Sequence, residues 1–328
     1  MPRAVALFSG GLDSMLAILV LQEQGFQVDA LNIRTTFDCC RAPAAQAAAE
    51  LGVRLTVLSV ADDYIDVLRA PAHGCGKGAN PCLDCRIYMC KKAKRLMGEV
   101  GACVVASGEV LGQRPMSQKR RDLWIVAEQS GLSGRLLRPL SARLLPPTIP
   151  ERQGLIDREK LHRFHGRGRS ELVALARRLG IREIPQPSVG CALTEATFAP
   201  RVRDLLRFKP DAGPWDFELL NVGRHLRRDP QTKFVVGRIE PENARLQSFF
   251  ARPDASPSAI MHPESSVGPD VLIVGRVDDE TIAFAGGLMF RYARKLDGSE
   301  AEVSVAQRDR KWRVAIRPHG EAQVAPLL

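Results

Sequence analysis

Residues 4–14 of this chain, A-V-A-L-F-S-G-G-L-D-S, decide its fold. The apolar run at 5–8 predicts a strand buried on both faces, and the apolar segment that continues to Gln24, before Gly25, predicts a helix. We call the turn between them, Ser9–Ser14, the glycine loop. A glycine turn at a helix N-terminus exposes backbone N–H groups, to which the helix dipole adds partial positive charge. The glycine loop therefore predicts a binding site for an anion such as phosphate.

Strand-like and helix-like segments alternate along the first part of the chain. The predicted strands are 5–8, 28–33, 54–60 and 103–106, and the predicted helices are 13–24, 42–51, 62–69 and 86–100. This alternation predicts an α/β fold with a doubly wound parallel sheet, whose ligands bind beyond the carboxyl ends of the strands. The glycine loop and Ser107-Gly108 both follow predicted strands, so we expect them at the same edge of the sheet.

The pattern changes after 209–215, where proline and glycine predict a linker. Shorter alternating segments follow at 217–222, 234–238, 271–277, 302–307 and 312–316, with helix-like stretches at 241–250 and 281–295. We expect a first domain over 1–208 and a second, smaller α+β domain over 216–328.

Charge favours a nucleic-acid partner. The 328 residues include 47 Lys and Arg against 37 Asp and Glu, a formal net charge of +10, with basic clusters at 91–95, 119–121 and 162–169. Such an excess is typical of proteins that bind RNA. Because aromatic residues make up 5% of the chain, we expect contacts to the shape and backbone of folded RNA rather than base stacking. The sequence has no apolar run of membrane-spanning length, and we expect a cytoplasmic location without membrane association.

Three of the eight cysteines lie beside turn-rich segments. Cys82 and Cys85 have Cys-x-x-Cys spacing where a loop meets a predicted helix, and Cys191 follows a second loop rich in proline and glycine. A helix N-terminus lowers the pKa of a thiol, so this pair provides candidate thiolates. The pair alone is compatible with zinc, a redox disulfide or an iron–sulfur cluster. Together with Cys191 it would leave one position of a cubane open to an exogenous ligand.

The remaining cysteines and other polar residues have simpler interpretations. Cys90 and Cys103 lie in apolar elements and are predicted core residues, whereas Cys39, Cys40 and Cys75 lie in loops and are weaker site candidates. His162 and His165 lie in a basic segment and are predicted to face solvent or phosphate. Asp13 is the best-placed Mg²⁺ ligand, because a carboxylate beside bound phosphates suits a hard cation.

The spacing Ser-Gly-Gly-x-Asp-Ser has no Walker-type Gly-Lys-Ser/Thr after it and resembles the PP-loop of the ATP pyrophosphatases. The resemblance implies an adenine nucleotide α-hydrolase-like fold that transfers AMP from ATP to a carbonyl oxygen and releases pyrophosphate. It also implies ATP contacts from Ser9, Gly10, Gly11, Asp13 and Ser14.

Around the cysteines the sequence resembles the tRNA thiouridine synthetases. Asn-Pro-x-x-x-Cys at 80–85, followed far along the chain by Gly190-Cys191, is similar to the thiol pair of the 2-thiouridine synthetases and implies that Cys85 and Cys191 are catalytic. The additional Cys82 is similar to the three-cysteine arrangement of iron–sulfur-dependent tRNA thiolases. Ser-Gly-Glu-x-x-Gly-Gln at 107–113 resembles the 4-thiouridine synthetases and implies that Gly108 and Gln113 contact ATP.

The first hypothesis is therefore an ATP-dependent tRNA thiolase with Asp13, Cys85 and Cys191 as catalytic residues. A uracil carbonyl oxygen would be adenylated, and sulfur from a donor, as sulfide or from a persulfide carrier, would then displace AMP. Delivery through a 4Fe-4S cluster would use Cys82, Cys85 and Cys191 as ligands, whereas delivery as a cysteine persulfide would need Cys85 and Cys191 alone. The modified uridine, its carbonyl and the sulfur donor stay open.

Two other hypotheses remain. One is a PP-loop enzyme acting on a small molecule, such as an amidotransferase or a deazapurine nitrile synthase, with zinc at the cysteines. The other is a non-catalytic RNA-binding protein. The second domain resembles the RNA-associated NFACT-R domain through Val236-Gly237-Arg238, Asn243, Leu246 and Gly286-Gly287-Leu288. It is equally compatible with a dimerisation module, which would make the chain a homodimer.

Overall fold

The computed structural model describes residues 1–37, 44–60, 62–187, 190–264, 267–293, 299–308 and 310–328. The chain divides into two compact units, Met1–Thr194 and Glu195–Leu328. The predicted linker at 209–215 thus falls inside the second unit, where Ala212 is buried and Lys209 Nζ donates a hydrogen bond to Asp216 Oδ1 at 2.9 Å. Of its two prolines, Pro214 is the first residue of a helix, a position at which the missing N–H costs little.

The first unit is built from alternating strands and helices. Its strands are β1 (Arg3–Leu7), β2 (Gln27–Arg34), β3 (Arg54–Ser59), β4 (Val104–Ser107) and β5 (Leu136–Leu137). Its helices are α1 (Leu12–Gln22), α2 (Ala44–Glu50), α3 (Asp62–Arg69), α4 (Cys82–Glu99), α5 (Arg120–Gln129), α6 (Ile149–Arg152) and α7 (Ser170–Arg178).

The described strands of this unit form a parallel sheet in the order β3-β2-β1-β4-β5. β1 pairs with β2 on one side and with β4 on the other, so the order of the sheet reverses between β1 and β4. Ligands of open α/β sheets bind beyond the carboxyl ends of strands at such a switch point. Leu7 is paired with Ser107, and the segments that follow these two residues leave the sheet side by side. The predicted α/β fold with a doubly wound parallel sheet is confirmed.

The core holds α1 firmly against the sheet. Leu16, Ile18 and Leu21 are fully buried, and the adjacent strand contributes Ala4 and Ala6, whose small side chains allow close packing. Burying each of the three large side chains stabilises the fold by about 1.5–3 kcal/mol. This packing positions the start of α1, and with it the glycine loop.

One helix of the first unit begins earlier than predicted. α4 starts at Cys82, whereas the sequence analysis placed its start at Arg86, so Cys82 and Cys85 both lie in its first turn. The preceding Pro81 is the N-cap residue, and the chain turns into the helix directly behind the glycine-rich loop. The thiols are therefore part of a rigid helix.

The second unit contains an antiparallel sheet with helices. Its strands are β6 (Arg224–Asp229), β7 (Thr232–Val236), β8 (Ser258–Pro263), β9 (Val271–Gly275), β10 (Ala301–Gln307) and β11 (Arg310–Ile316), in the order β11-β10-β8-β9-β7-β6. Its helices are α8 (Ala199–Phe208), α9 (Pro214–Leu219), α10 (Glu240–Phe250), α11 (Asp279–Tyr292) and α12 (Gly320–Val324).

Both faces of this sheet are packed. Phe234 and Val236 of β7 lie in a core with α11, whereas Val235, between them, packs with Leu246 of α10. The predicted α+β character is confirmed, but the strand-like segment predicted at 217–222 is wrong. The first residues of that segment belong to α9 instead. The start of α9 is capped by the Asp216 carboxylate, which accepts a hydrogen bond from Gly213 N at 2.9 Å.

Within the described ranges, none of the helices combines the length and hydrophobicity that crossing a bilayer requires.

The second unit contains a fully buried histidine, whose protonation affects the stability of the unit. His225 of β6 donates from Nε2 to Val222 O at 2.9 Å. Burial, supported by the charge of Lys233, lowers the pKa of His225 well below its ordinary value of 6.5. Burial also lowers the pKa of Lys233 to about 8. His225 is thus neutral in the native state at pH values where an unfolded histidine carries a proton.

We expect the second unit to lose stability as the pH falls from 7 to 5. In the unfolded state the imidazole takes up a proton near pH 6.5, whereas native His225 does not. The free energy of unfolding therefore falls by up to about 1.4 kcal/mol for each pH unit. His225→Gln should flatten this dependence. Guanidinium unfolding followed by tryptophan fluorescence measures it, because Trp215 is buried in this unit while Trp124 is already exposed. The exposed His165, changed to Gln, is the control; an equal slope in the His225 variant and the wild type would contradict the assignment.

Candidate active site

The glycine loop forms a tight turn at the carboxyl end of β1. Gly10 has φ of 78°, in the left-handed region that favours glycine. Ser14 Oγ donates to Gly11 O at 2.8 Å, and the Ser9 and Ser14 hydroxyls are 3.4 Å apart. Two hydroxyls therefore lie next to each other at the N-terminus of α1, and a helix N-terminus is a typical anion site.

The segment 107–118, which follows β4, is attached to the glycine loop at Asp13. Gln113 Nε2 donates to Asp13 Oδ2 at 2.9 Å. Gly108 lies so close that a Cβ there would be 2.4 Å from the Asp13 carbonyl oxygen and 2.6 Å from Ser14 N. Gly108 and Gln113, both predicted from sequence as nucleotide contacts, thus touch the glycine loop directly.

A buried carboxylate that sequence reasoning did not assign lies in the same segment. Glu109 accepts hydrogen bonds from Arg138 Nε and Ser107 Oγ, each at 3.0 Å, and Arg86 Nε lies 3.7 Å from its other oxygen. Burial would raise the pKa of Glu109, but Arg138 and then Arg86 lower it below its ordinary value. Glu109 is therefore an anion at neutral pH and connects this segment to α4, which carries Arg86. Its position in Ser-Gly-Glu-x-x-Gly-Gln was the only sequence signal for it.

Arg86 extends this charge network towards the thiols. Burial opposes its charge, yet Glu109 raises the pKa of Arg86. The sulfurs of Cys85, Cys90 and Cys82 contribute further to that increase, so they lie within electrostatic range of the guanidinium. A fixed cation beside the first turn of α4 suits chemistry in which a sulfur carries negative charge.

Both sulfurs of the Cys-x-x-Cys pair are half-buried and accept hydrogen bonds. Asn80 Nδ2 donates to Cys82 Sγ at 3.0 Å, and Tyr64 OH donates to Cys85 Sγ at 3.3 Å. Asn80 is itself buried in the glycine-rich loop before α4. These contacts hold the two thiols in defined positions.

The turn that carries Cys191 packs against the loop before α4. Ala79 N donates to Leu193 O at 2.9 Å, and Ala192 N donates at 3.2 Å to Phe37 O, three residues beyond the end of β2. A Cβ on Gly78 would be 2.4 Å from Leu193 O, which shows how closely the two segments approach. The structure thereby brings the segments that carry Cys82, Cys85 and Cys191 together, although they are far apart in the chain.

The donor type and the geometry of the three thiols have different implications for a metal centre. Thiolates are the ligands of iron–sulfur clusters, so the set fits one chemically. Within the described residues, which include all three cysteines, no group of three His, Cys, Asp or Glu side chains is close enough to hold a metal ion. The three cysteines of a 4Fe-4S cluster would bind three different irons, so its ligands do not converge on one atom as those of a single metal ion do.

The remaining cysteines were weaker site candidates or predicted core residues. Cys90 is buried, as predicted, and burial raises the pKa of its thiol to about 12. Cys103 packs at the edge of the core, and Cys75 is exposed. Cys39 and Cys40 lie outside the described residues.

The basic segment 162–169 packs beside the segment 107–118. His165 Nε2 would lie 3.0 Å from a Cβ on Gly112, and Gly166 N donates to Leu111 O at 2.8 Å. Half-buried His162 stacks on Phe164, and burial lowers its pKa. Positive charge therefore lies next to the loop that contacts Asp13.

A cavity of about 170 Å³ opens beside the first turn of α4. Residues from three segments line it: His73, Gly74, Cys82, Leu83, Pro115, Met116, Lys119 and Asp122. One of the three candidate thiols is thus accessible from a small cavity that also presents a cation.

Comparison with known proteins supports the sequence resemblance in both units. Residues 2–143 match the family model of thiamine biosynthesis protein (ThiI), and residues 223–325 match that of the NFACT protein RNA binding domain. The resemblances to a thiouridine synthetase PP-loop domain and to an NFACT-R domain are thereby confirmed for these segments.

Curated relatives match part of this chain. The tRNA-specific 2-thiouridylase MnmA of Acidithiobacillus ferrooxidans is 32% identical over 117 residues, which are 32% of this chain and 33% of that protein. A probable tRNA sulfurtransferase of Thermococcus kodakarensis is 29% identical over 142 residues, 42% of this chain and 36% of that protein. The chain thus spans about a third of the length of these relatives. The solved structure of a 4-thiouridine synthetase–RNA complex with bound ATP is 18% identical with a TM-score of 0.38, covering 55% of this chain and 41% of that one.

We expect Gly108→Ala to destabilise the first unit by about 1–3 kcal/mol, because its new methyl group would overlap the backbone of Asp13 and Ser14. Gly98→Ala in α4 is the matched control, since its Cβ would meet nothing within 4 Å and alanine favours helix. Urea unfolding followed by far-UV circular dichroism measures both. Equal stability of the Gly108 variant and the wild type would contradict the close packing.

Proposed function

We propose that this chain is an ATP-dependent tRNA thiolation enzyme that adenylates a uridine carbonyl and then replaces its oxygen with sulfur. The observation that carries the proposal is a contact between two segments that bear thiols. Ala79 N, in the loop before the cysteine pair of α4, donates at 2.9 Å to Leu193 O, in the turn that carries Cys191. The same helix is connected through Arg86 and Glu109 to the segment that contacts the glycine loop.

Activation would take place at the glycine loop. Its N–H groups and the Ser9 and Ser14 hydroxyls would hold the phosphates of ATP, and Asp13 would hold Mg²⁺ directly or through water. Attack of the uridine oxygen on the α-phosphorus breaks the bond to pyrophosphate. The oxygen then leaves as part of AMP, which is a far better leaving group than oxide.

The sulfur step would belong to the thiols. In the sulfide route, sulfide attacks the activated carbon and displaces AMP directly. In the persulfide route, the outer sulfur of a persulfide on Cys85 or Cys191 attacks the carbon and displaces AMP. The other thiol then attacks the inner sulfur, so the S–S bond to the substrate breaks, thiouridine is released, and a Cys85–Cys191 disulfide forms that an external thiol reduces. Cys82, Cys85 and Cys191 together would hold a 4Fe-4S cluster, which would supply an iron able to bind sulfide. We favour this arrangement over the persulfide route because it gives Cys82 a role.

The second unit supports RNA as the substrate. Its match to the NFACT protein RNA binding domain covers 223–325, and the whole chain carries a net charge of +10. The two named relatives act on tRNA by their names. We therefore propose tRNA as the partner of both units.

Mass spectrometry of tRNA nucleosides from a deletion strain tests the function as a whole. A thiolase predicts the loss of one thionucleoside and its return on complementation. A small-molecule enzyme predicts an unchanged nucleoside profile. Release of pyrophosphate that depends on tRNA separates the thiolase from a non-catalytic RNA-binding protein.

Replacing the cysteines one at a time distinguishes the two sulfur routes. Cys85→Ala and Cys191→Ala should abolish thiolation under either route. Cys82→Ala should abolish both iron binding and thiolation if a cluster is used. Iron and sulfide are counted after anaerobic purification, and thiouridine is measured in the same samples. The exposed Cys75, changed to Ala, is the control, and full activity of the Cys82 variant would contradict the cluster route.

Affinity for tRNA should fall steeply with salt. Each phosphate contact contributes a slope of about −0.7 to −0.9 in a plot of log K against log salt concentration, because counterions are released. With 6–10 contacts, the affinity would fall roughly 10³- to 10⁵-fold between 50 and 200 mM salt. Filter binding measures this dependence, and affinity independent of salt would count against RNA as the substrate.

A further inference from the structure

His262 of β8 is an exposed histidine whose ring is held by a buried carboxylate. Its Nδ1 lies 2.6 Å from Asp270 Oδ1, and the His262 side chain is 53% exposed, whereas that of Asp270 is fully buried. Burying a carboxylate is unfavourable unless its oxygens accept hydrogen bonds. The second oxygen of Asp270 accepts from Gln247 Nε2 of α10 at 2.7 Å, and Asp270 N donates to Asn243 Oδ1 at 3.1 Å. Asp270 is therefore fixed by α10, and it fixes the ring of His262.

Residues of the NFACT-R-like motif hold this carboxylate in place. Gly237 N donates to Asp270 O at 3.0 Å, and a Cβ on Gly237 would be 2.0 Å from Asn243 Oδ1. Glycine at position 237 thus lets the Asn243 side chain reach the backbone of Asp270. Gly237 and Asn243, on which the resemblance to an RNA-associated domain depends, therefore support the buried carboxylate behind an exposed imidazole.

The carboxylate determines which ring nitrogen of His262 carries a proton. An ionised carboxylate only accepts hydrogen bonds, so Nδ1, which faces Asp270, carries a proton. In the singly protonated imidazole Nε2 is then a hydrogen-bond acceptor. Within the part of the chain that the structure describes, Nε2 has no hydrogen-bond partner. His262 thus presents an acceptor in a defined position, which suits a ligand with a hydroxyl donor.

The neighbouring strands place further polar side chains on the same face of the sheet. His262 is paired with Ser304 of β10, and Ser304 is paired with Arg313 of β11, so their side chains share one face. Lys311, two residues before Arg313, lies on that face as well and is exposed. Arg313 pairs with Glu264 at 2.7 Å, whereas Lys311 forms no ion pair within the described residues. From strand spacing and rise, the Cα atoms of His262 and Lys311 are about 12 Å apart.

We propose that His262 accepts a hydrogen bond from a ribose 2′-hydroxyl of the RNA substrate, while Lys311 contacts a nearby phosphate. This inference rests on the proposed function, which makes RNA the partner of the second unit. RNA has the 2′-hydroxyl and DNA lacks it, so an acceptor placed against this group distinguishes the two. A phosphodiester carries no proton and cannot donate to Nε2. Because Asp270 already orients the ring, little ordering is needed when RNA binds.

The test compares two single strands of the same base sequence, one RNA and one DNA containing deoxyuridine. Fluorescence anisotropy with the full chain gives both Kd values, and their ratio is the preference for RNA. His262→Ala should reduce this preference roughly 2- to 12-fold, the contribution of one hydrogen bond, and leave the Kd for DNA unchanged. His262→Gln, which carries an acceptor oxygen, should retain part of the preference. Ser248→Ala, at an exposed hydroxyl of α10, is the control and should bind both strands like the wild type.

Lys311→Ala tests the phosphate contact separately. It should weaken the binding of RNA and DNA equally, because both have the same phosphates. It should also reduce the slope of log K against log salt concentration by about 0.7, since one fewer counterion is released from a single strand. An unchanged slope would remove Lys311 from the proposal.

Asp270→Asn tests the position of the ring proton without removing the imidazole. An asparagine amide can donate to Nδ1, which moves the ring proton to Nε2 and removes the acceptor. The preference for RNA should therefore fall as in His262→Ala, and thermal unfolding checks that this variant is folded. An RNA strand with 2′-O-methyl riboses, which cannot donate, should bind the wild type like DNA.

Three results would overturn the hydroxyl contact. One is an equal loss of affinity for RNA and DNA in His262→Ala, which would indicate a phosphate contact instead. Another is a His262→Ala variant with the Kd values of the wild type. The third is a wild type that binds RNA and DNA with the same affinity.

Failure of the proposed function has a different signature. If the wild type forms no thiouridine but its preference for RNA depends on His262, the hydroxyl contact stands and the thiolase assignment fails. If the wild type forms thiouridine and His262→Ala keeps the full preference for RNA, the hydroxyl contact alone fails.

Discussion

The backbone contact between Gly108 and the Asp13–Ser14 peptide is the constraint on which the site depends. β1 and β4 are adjacent parallel strands, so their carboxyl ends leave the sheet together. A side chain at Gly108 would reach within 2.4 Å of the Asp13 carbonyl oxygen, and its absence lets the two segments close on each other. Gln113 can then donate a hydrogen bond to Asp13, so the segment 107–118 packs against the glycine loop.

A buried ion pair lies between the segment that contacts the glycine loop and the helix that bears two of the thiols. Glu109 and Arg138 are almost completely buried, and their contact at 3.0 Å is supported by the Ser107 hydroxyl. Removing one partner from a buried pair of this kind costs about 3–5 kcal/mol, because the other charge is left uncompensated. Arg86 of α4 lies close to the same carboxylate, so the helix that bears Cys82 and Cys85 is connected to the segment that contacts the glycine loop.

Local patterns predicted the elements of the first unit well and those of the second less well. α3 has the predicted bounds of 62–69, because its apolar spacing and flanking residues are local signals. β6 was missed, since its sequence R-H-L-R-R-D contains a single aliphatic residue, and its arginines are accommodated by pairing with residues elsewhere, such as Arg227 with Asp204. α9 was mistaken for a strand because its apolar residues are buried on several sides and obscure the helical period.

The glycine loop, the alternation of strands and helices and the two turn-rich segments that carry cysteines could all be predicted from the sequence, since they depend on residues close together in the chain. Which of these segments contact one another could be seen only in the folded protein. Gln113 and Asp13 are 100 residues apart, and Ala79 and Leu193 are farther, so their contacts follow from strand order and packing. The exposure of Trp124 is likewise a tertiary property, because it depends on which face of α5 the rest of the unit covers.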